Sequence, residues 1–249
     1  KITIPEIAKT FSNENNILQE YIKFTFPEVW TIKKMSERLT ANDFNGKEFL
    51  EIAKNPPEEI KNKYLYPEDK MVNSLEGYLF PDTYFLKPGT QARDIIGKLL
   101  DNFNEKINTD LRAEIKKQGK TLNSIIIMAS IIEKEVNTDD DRALVSGIFW
   151  NRIKTGQPLQ SCATLAYILG VNKKQYSAED INTPSLYNTY LNRGLPPAPI
   201  SNPGISSIKA AIYSKDSEYN YFLSDPETGQ TIFSKTFEEH NANKVKYGL

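Results

Sequence analysis

The sequence predicts an α+β chain with a helical core and short strands, preceded by a smaller α+β unit. Three observations carry that prediction. ITIPE and KFTFPE alternate apolar and polar residues before Pro-Glu, as short strands do. Apolar residues recur at helical spacing in several stretches, beginning with Trp30, Ile32, Met35 and Leu39. Towards the end, YNYFLSD and TIFSKT flank a PETG turn, the pattern of a hairpin.

In chain order, WTIKKMSERL is a first amphipathic helix, and GKEFLEIAK follows the AND and NG turn signals as a second. NPPEEIKNKY reads as a linker or a short helix opened by proline. The module boundary falls there, giving a small unit over residues 1–68 and a larger one over residues 69–249. NSLEGYLFPDTYFLKPGT, aromatic and punctuated by Gly and Pro, reads as ordered loop and short strand. Residues 92–117 return to helix. The next helix, IIIMASIIEKE, is capped by Thr121 or Asn123. Thr138 caps another, whose three aspartates suit the positive end of the helix dipole and which Gly156 ends. Beyond Leu159 the chain reads as loop-rich, with one short helix at SIKAAIYS.

Composition excludes several classes of function. Lys plus Arg (31) nearly cancel Asp plus Glu (32), which removes the bulk electrostatic attraction that non-specific nucleic-acid binding requires, so no nucleic-acid partner is expected. One Cys and one His leave no disulfide framework and argue against a zinc site of the usual kind, so no metal and no cofactor are expected. No apolar run reaches the roughly 18–20 residues of a membrane-spanning helix. KITIPE does not read as a signal peptide, and the abrupt start at Lys1 is what a part excised from a longer protein would show.

The helix at residues 125–136 poses the chemical question, because it carries Glu133 and Glu135 beside an apolar face. At 100° per residue from Ile125, Glu133 falls at about 80°, between Ala129 and Ile126, and Glu135 near −80°, between Met128 and Ile131. Lys134 points the opposite way. An ionised carboxylate at such a border needs either a raised pKa or a partner charge. A carboxylic acid that keeps its proton near neutral pH is what a general acid for glycoside cleavage must be. The plainer alternative is a pair of border acids, one of them paired to Arg142 or Arg152.

ASIIEKE, GIFWNRIKTGQPLQS, YNTYLNRGLPPAPISNPG, IKAAIY and FSKTFEEHNANK, in this order, resemble the endolytic murein transglycosylases of the MltG (YceG-like) family. The resemblance extends upstream through LEGYLFPDTY and covers roughly residues 70–249. It implies a mixed α+β catalytic domain over residues 69–249, and a LysM-like subdomain over residues 1–68, in keeping with the strand, helix, helix order there. By motif, the catalytic Glu of the family falls in I-I-E-K-E. Glu133 is preferred, being the more buried by angle and 18 residues before Asn151-Arg152, the spacing of the similar spore cortex-lytic enzymes; Glu135 is the second choice. Family members carry an N-terminal membrane anchor, absent from this chain, which implies attachment to the cell membrane with the catalytic part on the outer side. One departure stands out: LQSCAT replaces the usual L-Q-S/T-D-P-T. Cys162 reads as a small buried group rather than a nucleophile, since no His lies near it in sequence.

The resemblance implies peptidoglycan glycan strands as substrate, cut at the MurNAc-β-1,4-GlcNAc bond. One acid protonates the leaving oxygen, then accepts the C6 hydroxyl proton as a 1,6-anhydro ring closes, ending elongation of a nascent strand. Implied groove residues are Glu76 and Tyr78, Asn151 and Arg152, Gln160, Ser161 and Thr164, and Tyr187, Asn188, Thr189 and Tyr190. Tyr84 and Phe85 read as core. The cell-wall synthesis machinery is the implied protein partner. A hydrolase cutting the same bond with water, and a glycan-binding scaffold without activity, are the competing readings.

Overall fold

The computed structural model describes residues 21–249, apart from Met71, Lys174 and the side chain of Glu68. The ITIPE strand expected near the start lies outside the described residues. KFTFPE forms strand β1 (Ile22–Thr25), and two helices follow, α1 (Ile32–Thr40) and α2 (Gly46–Lys54). Thr31 and Asn45 cap them, each side chain accepting a backbone N–H three residues on. Met35, Leu39, Phe49 and Ile52 form the seam between the two. The stretch read as linker or helix is a short helix, α3 (Glu58–Tyr64).

Strand β2 (Thr83–Leu86) pairs antiparallel with β1, setting Phe24 opposite Tyr84 and Thr25 opposite Thr83. β1 precedes and β2 follows the boundary expected at residue 68, so this sheet joins the two stretches. The segment read as continuous helix over 92–117 is two helices, α4 (Ala92–Lys106) and α5 (Thr109–Lys117). Asn108 breaks it, because its side chain accepts the Leu111 N–H and starts a new helix there.

Helix α6 (Leu122–Glu135) is the centre of the larger part. Thr121 caps it through a reciprocal pair of hydrogen bonds with Ser124, which settles the choice between Thr121 and Asn123. Every residue from Ile125 to Glu133 is buried, as expected of a helix apolar on all sides. α7 (Asp139–Lys154), capped by Thr138, and α10 (Ile205–Ile212) pack against it. A strap over residues 200–204 runs along α6: Ser130 Oγ accepts the Ile200 N–H at 3.0 Å, and Ser201 Oγ donates to the Ser130 carbonyl at 3.2 Å.

The region read as loop after Leu159 contains a helix, α8 (Cys162–Leu169), closed by Gly170 at φ 69°. A single turn, α9 (Ala178–Ile181), follows. The predicted hairpin is present as β3 (Tyr221–Ser224) and β4 (Thr231–Ser234), covered by α11 (Phe237–Lys246). Short two-stranded sheets around a helical core make this an α+β fold. Among the described residues no helix is long and apolar enough to cross a membrane.

Candidate active site

The last turn of α6 delivers Glu133 and Glu135 to different neighbours. Glu133 is 5% exposed, and both its oxygens are engaged. Oε1 pairs with the Arg142 guanidinium at 3.1 Å, and Oε2 accepts the Gly204 N–H at 2.8 Å, just ahead of α10. Arg142 is held from its other side by Asp139 at 2.8 Å. Glu133 is thus a charge-paired strut joining α6, α7 and the strap. Glu28, from the loop after β1, packs against the same cluster; burial first, and then the Glu133 charge, raise its carboxyl above the usual range.

Glu135 meets a hydroxyl-lined turn instead. Its Oε1 accepts the Ser161 hydroxyl and, at 3.3 Å, the Ala163 N–H in the first turn of α8. Its Oε2 takes no hydrogen bond among the described residues and is not sealed from water. Burial pushes the Glu135 carboxyl up, against the opposing pull of Ser161, Ala163, Lys134 and Arg152. Because Oε1 already accepts twice, the proton of the neutral acid belongs on Oε2, the free oxygen. Once that proton is given away, Ser161, the α8 amide and two cations stabilise the carboxylate left behind.

The turn holding Ser161 is braced from the loop at residues 187–192. Thr189 Oγ1 accepts the Ser161 N–H at 3.0 Å and shares a hydrogen bond with Thr164 Oγ1 at 2.9 Å. The Thr189 carbonyl takes the Gln160 N–H at 3.0 Å, and Gln160 sits in the left-handed region at φ 52°. Asn188 is fully buried and shapes its own loop, donating to the Ile181 and Thr183 carbonyls and accepting the Tyr190 N–H. Tyr190 reaches back to Cys162, its hydroxyl 3.2 Å from Sγ. Cys162 is exposed rather than the small buried group expected, because it occupies the outer side of the first turn of α8. Arg152 is buried and fixed by the Leu159 and Asn220 carbonyls, both at 2.7 Å, with its guanidinium over the Tyr221 ring. It acts on Glu135 through its field, without an ion pair.

Glu76 is a further buried acid, within the field of Lys134. It is 6% exposed, and its oxygens accept the Ile32 N–H at 3.0 and 3.2 Å at the start of α1, and the Asn202 side-chain amide at 2.9 Å. Burial pushes its carboxyl up to about 8, against those hydrogen bonds. Tyr187 pairs with Tyr167, ring centroids 5.0 Å apart, within the field of Glu76. Two expected groove residues stand apart. Tyr78 is wholly buried, packed on Phe103 and bonded to Asn123, so it belongs to the core and cannot touch a strand. Asn151 is exposed on α7 and its side chain makes no hydrogen bond among the described residues.

Three contributors to the site escape the sequence reading. Asn202 ties Gly77, Leu79, Trp30 and Glu76 together, from more than 120 residues away in the chain. The Ala163 amide depends on α8, whose apolar run CATLAYIL followed by Gly170 carried the available signal. Lys134 is half-buried, within the fields of Glu76 and Glu135, rather than pointing away into solvent.

The central apolar helix thus ends in one ion-paired acid and one acid with a free oxygen whose pKa burial raises, an arrangement compatible with single-acid catalysis. The chain belongs to the YceG-like family, whose model matches residues 1–246. It is 36% identical over 216 residues to an endolytic murein transglycosylase of Bacillus subtilis (strain 168), covering 86% of this chain and 59% of that protein. It is 34% identical over 178 residues to an endolytic murein transglycosylase of Streptococcus pneumoniae serotype 2 (strain D39), covering 70% of this chain and 32% of that one. The chain therefore spans about a third to three fifths of these relatives. A crystal structure of a yceG-like protein from Listeria monocytogenes superposes with a TM-score of 0.80 at 35% identity, over 96% of this chain and 81% of that one.

Proposed function

We propose that this chain is the catalytic part of an endolytic peptidoglycan lytic transglycosylase, with Glu135 as its acid and base. One observation carries the choice of Glu135: its Oε1 is tethered by Ser161 and Ala163 while its Oε2 stays free. Oε2 gives its proton to the oxygen linking MurNAc to GlcNAc as positive charge develops at the anomeric carbon. The carboxylate then takes the C6 hydroxyl proton, and O6 closes on the anomeric carbon to leave a 1,6-anhydro end. One acid suffices because the nucleophile is part of the substrate, in contrast to the two-carboxylate scheme of ordinary glycosidases. Glu133, ion-paired and buried, holds α6 in place.

Ser161, Thr164, Thr189 and Gln160 position the acid, Arg152 supports its carboxylate form, and Tyr187 and Tyr190 offer aromatic faces to the sugars. The names of the relatives support the substrate class. Residues 21–68, the described part of the stretch expected over residues 1–68, would belong to a LysM-like subdomain, with β2 supplying the strand that completes its sheet. The whole protein is anchored in the cell membrane with this part outside, where it meets nascent strands and the synthesis machinery. The experiment is digestion of purified glycan strands followed by mass spectrometry of the ends. Wild type gives anhydro ends and Glu135→Gln gives none. Reducing ends from wild type would mark a hydrolase, and cleavage by Glu135→Gln would remove the acid from its role.

A further inference from the structure

His240, the only histidine of the chain, stands at the far end of a line of contacts that leads to Glu135. It lies on α11, is 9% exposed, and stacks on Tyr221 of β3 with ring centroids 5.2 Å and planes 23° apart. The Tyr221 ring in turn carries the Arg152 guanidinium 5.4 Å from its centroid, and the neighbouring Asn220 carbonyl accepts from the same guanidinium at 2.7 Å. One turn earlier on α7, Phe149 meets the edge of Phe222 at 5.7 Å, so the β3–β4 hairpin is seated along α7 at two points. Asn243 of α11 donates to Ser234 Oγ of β4 at 3.0 Å, which ties the helix carrying His240 to that hairpin.

Arg152 passes this hold to the turn that tethers the acid. Its side chain donates to the Leu159 carbonyl at 2.7 Å, and its own carbonyl accepts the Gln157 N–H at 2.8 Å. After Leu159 comes Gln160 at φ 52°, a conformation that such a residue keeps only where its surroundings enforce it. Two hydrogen bonds do so here, Arg152 on the Leu159 carbonyl and the Thr189 carbonyl on the Gln160 N–H. Ser161 follows, and its hydroxyl holds Oε1 of Glu135. His240 contributes through its ring face rather than a proton: Nδ1 is buried with no hydrogen-bond partner among the described residues, and burial lowers the imidazole below its ordinary range. We propose that His240 and Tyr221 are positioning residues for strand cleavage, holding the Arg152 fork against the Leu159–Ser161 turn that aims Glu135. The inference rests on Glu135 being the acid. A planar guanidinium satisfies two carbonyls while lying over a ring, which a lysine ammonium does not.

The experiment follows kcat, KM and the pH profile of kcat on purified glycan strands, for the full chain and well below each variant's melting point. His240→Ala and Tyr221→Leu should lower kcat about tenfold to a hundredfold, the cost of a misplaced reacting group, with KM within about twofold. A loosened Ser161 hydrogen bond also removes a pull that lowers the Glu135 pKa, so the alkaline limb of the profile should move to higher pH, as it should in Ser161→Ala. His240→Phe and Tyr221→Phe keep the paired rings and should leave the limb in place and kcat within about threefold. Tyr221 is half-buried and a leucine still packs on Phe237, whose ring lies 5.8 Å away, so Tyr221→Leu stays folded and keeps the test decisive. Unchanged kcat in both disruptive variants, a lowered kcat with an unmoved limb, or His240→Phe as slow as His240→Ala overturns the proposal and leaves Glu135 as the acid. Cleavage by Glu135→Gln in the same assay overturns the reading on which it rests.

Discussion

Glu133→Gln separates strut from catalyst. The substitution keeps the shape of the side chain, and its carbonyl can still accept the Gly204 N–H now bonded at 2.8 Å. It loses the pairing to Arg142 at 3.1 Å, where the two side chains are only 3% and 12% exposed. Removing one member of a fully buried ion pair costs about 3–5 kcal/mol. Arg142 keeps Asp139 at 2.8 Å, so the lower cost of a lost charged hydrogen bond, about 2–3 kcal/mol, applies. For a chain of this size that is a fall in Tm of roughly 4–12 °C. Arg142→Met should cost more, because it strands the Glu133 carboxylate beside Glu28 and Asp139 with no cation. The double variant should lose less than the two singles together, since the second change removes a charge already unpaired. Calorimetry supplies the three melting points, and glycan digestion well below them supplies the activities. Glu133→Gln should melt early and still cut strands. An unchanged Tm together with complete loss of cleavage would refute the separation and return the chemistry to Glu133.

Stability should also fall with rising pH, because Glu76 moves from an ordinary 4.5 when unfolded to about 8 when folded. Between those values the folded state keeps a proton that the unfolded state has released. The contribution is thus complete below about 4.5 and lost by about 8, worth at most roughly 5 kcal/mol, with Glu135 acting in the same direction. Glu76→Gln should flatten the curve of Tm against pH from 5 to 8.5; parallel curves for variant and wild type would show that Glu76 is ionised throughout. Gly77→Ala should destabilise strongly, because φ is 89° there and a Cβ would meet Ile126 and Pro199 at 2.6 Å. Gly156→Ala, also at positive φ but with nothing within 4 Å, should cost only about 1 kcal/mol in the same melting experiment.

Much of the fold is legible because its signals are local. Thr31, Thr121 and Thr138 cap helices whose apolar spacing is plain, and PETG marks the hairpin. α8 is missed because CATLAYIL is apolar at nearly every position, so no 3.6-residue period stands out from it. The break at Asn108 is missed for the opposite reason: the period continues across it, and only the capping side chain interrupts the backbone. At the site, the helical angle identifies which acid is more deeply buried, and the structure agrees that it is Glu133. The angle carries no information about partners. Gly204 lies 71 residues beyond Glu133, and Ser161 lies 26 beyond Glu135, distances at which sequence spacing is silent.

The two acids diverge because one turn of helix cannot point both the same way. Two positions on a helix are separated by about 200°, so whatever packs against Glu133 leaves Glu135 to a different neighbour. The side of α7 and the strap offers a guanidinium and a backbone amide, one to each oxygen of Glu133. The side of α8 offers a hydroxyl and a single amide to one oxygen of Glu135, which hold the group in place while burial pushes its pKa up. Glu133 locks the helix through three elements, and that lock fixes where Oε2 of Glu135 can point. If Glu135 is the proton donor, as proposed, its free oxygen must stay aimed while the sugar distorts towards it, and the Glu133 strut is what would keep it so.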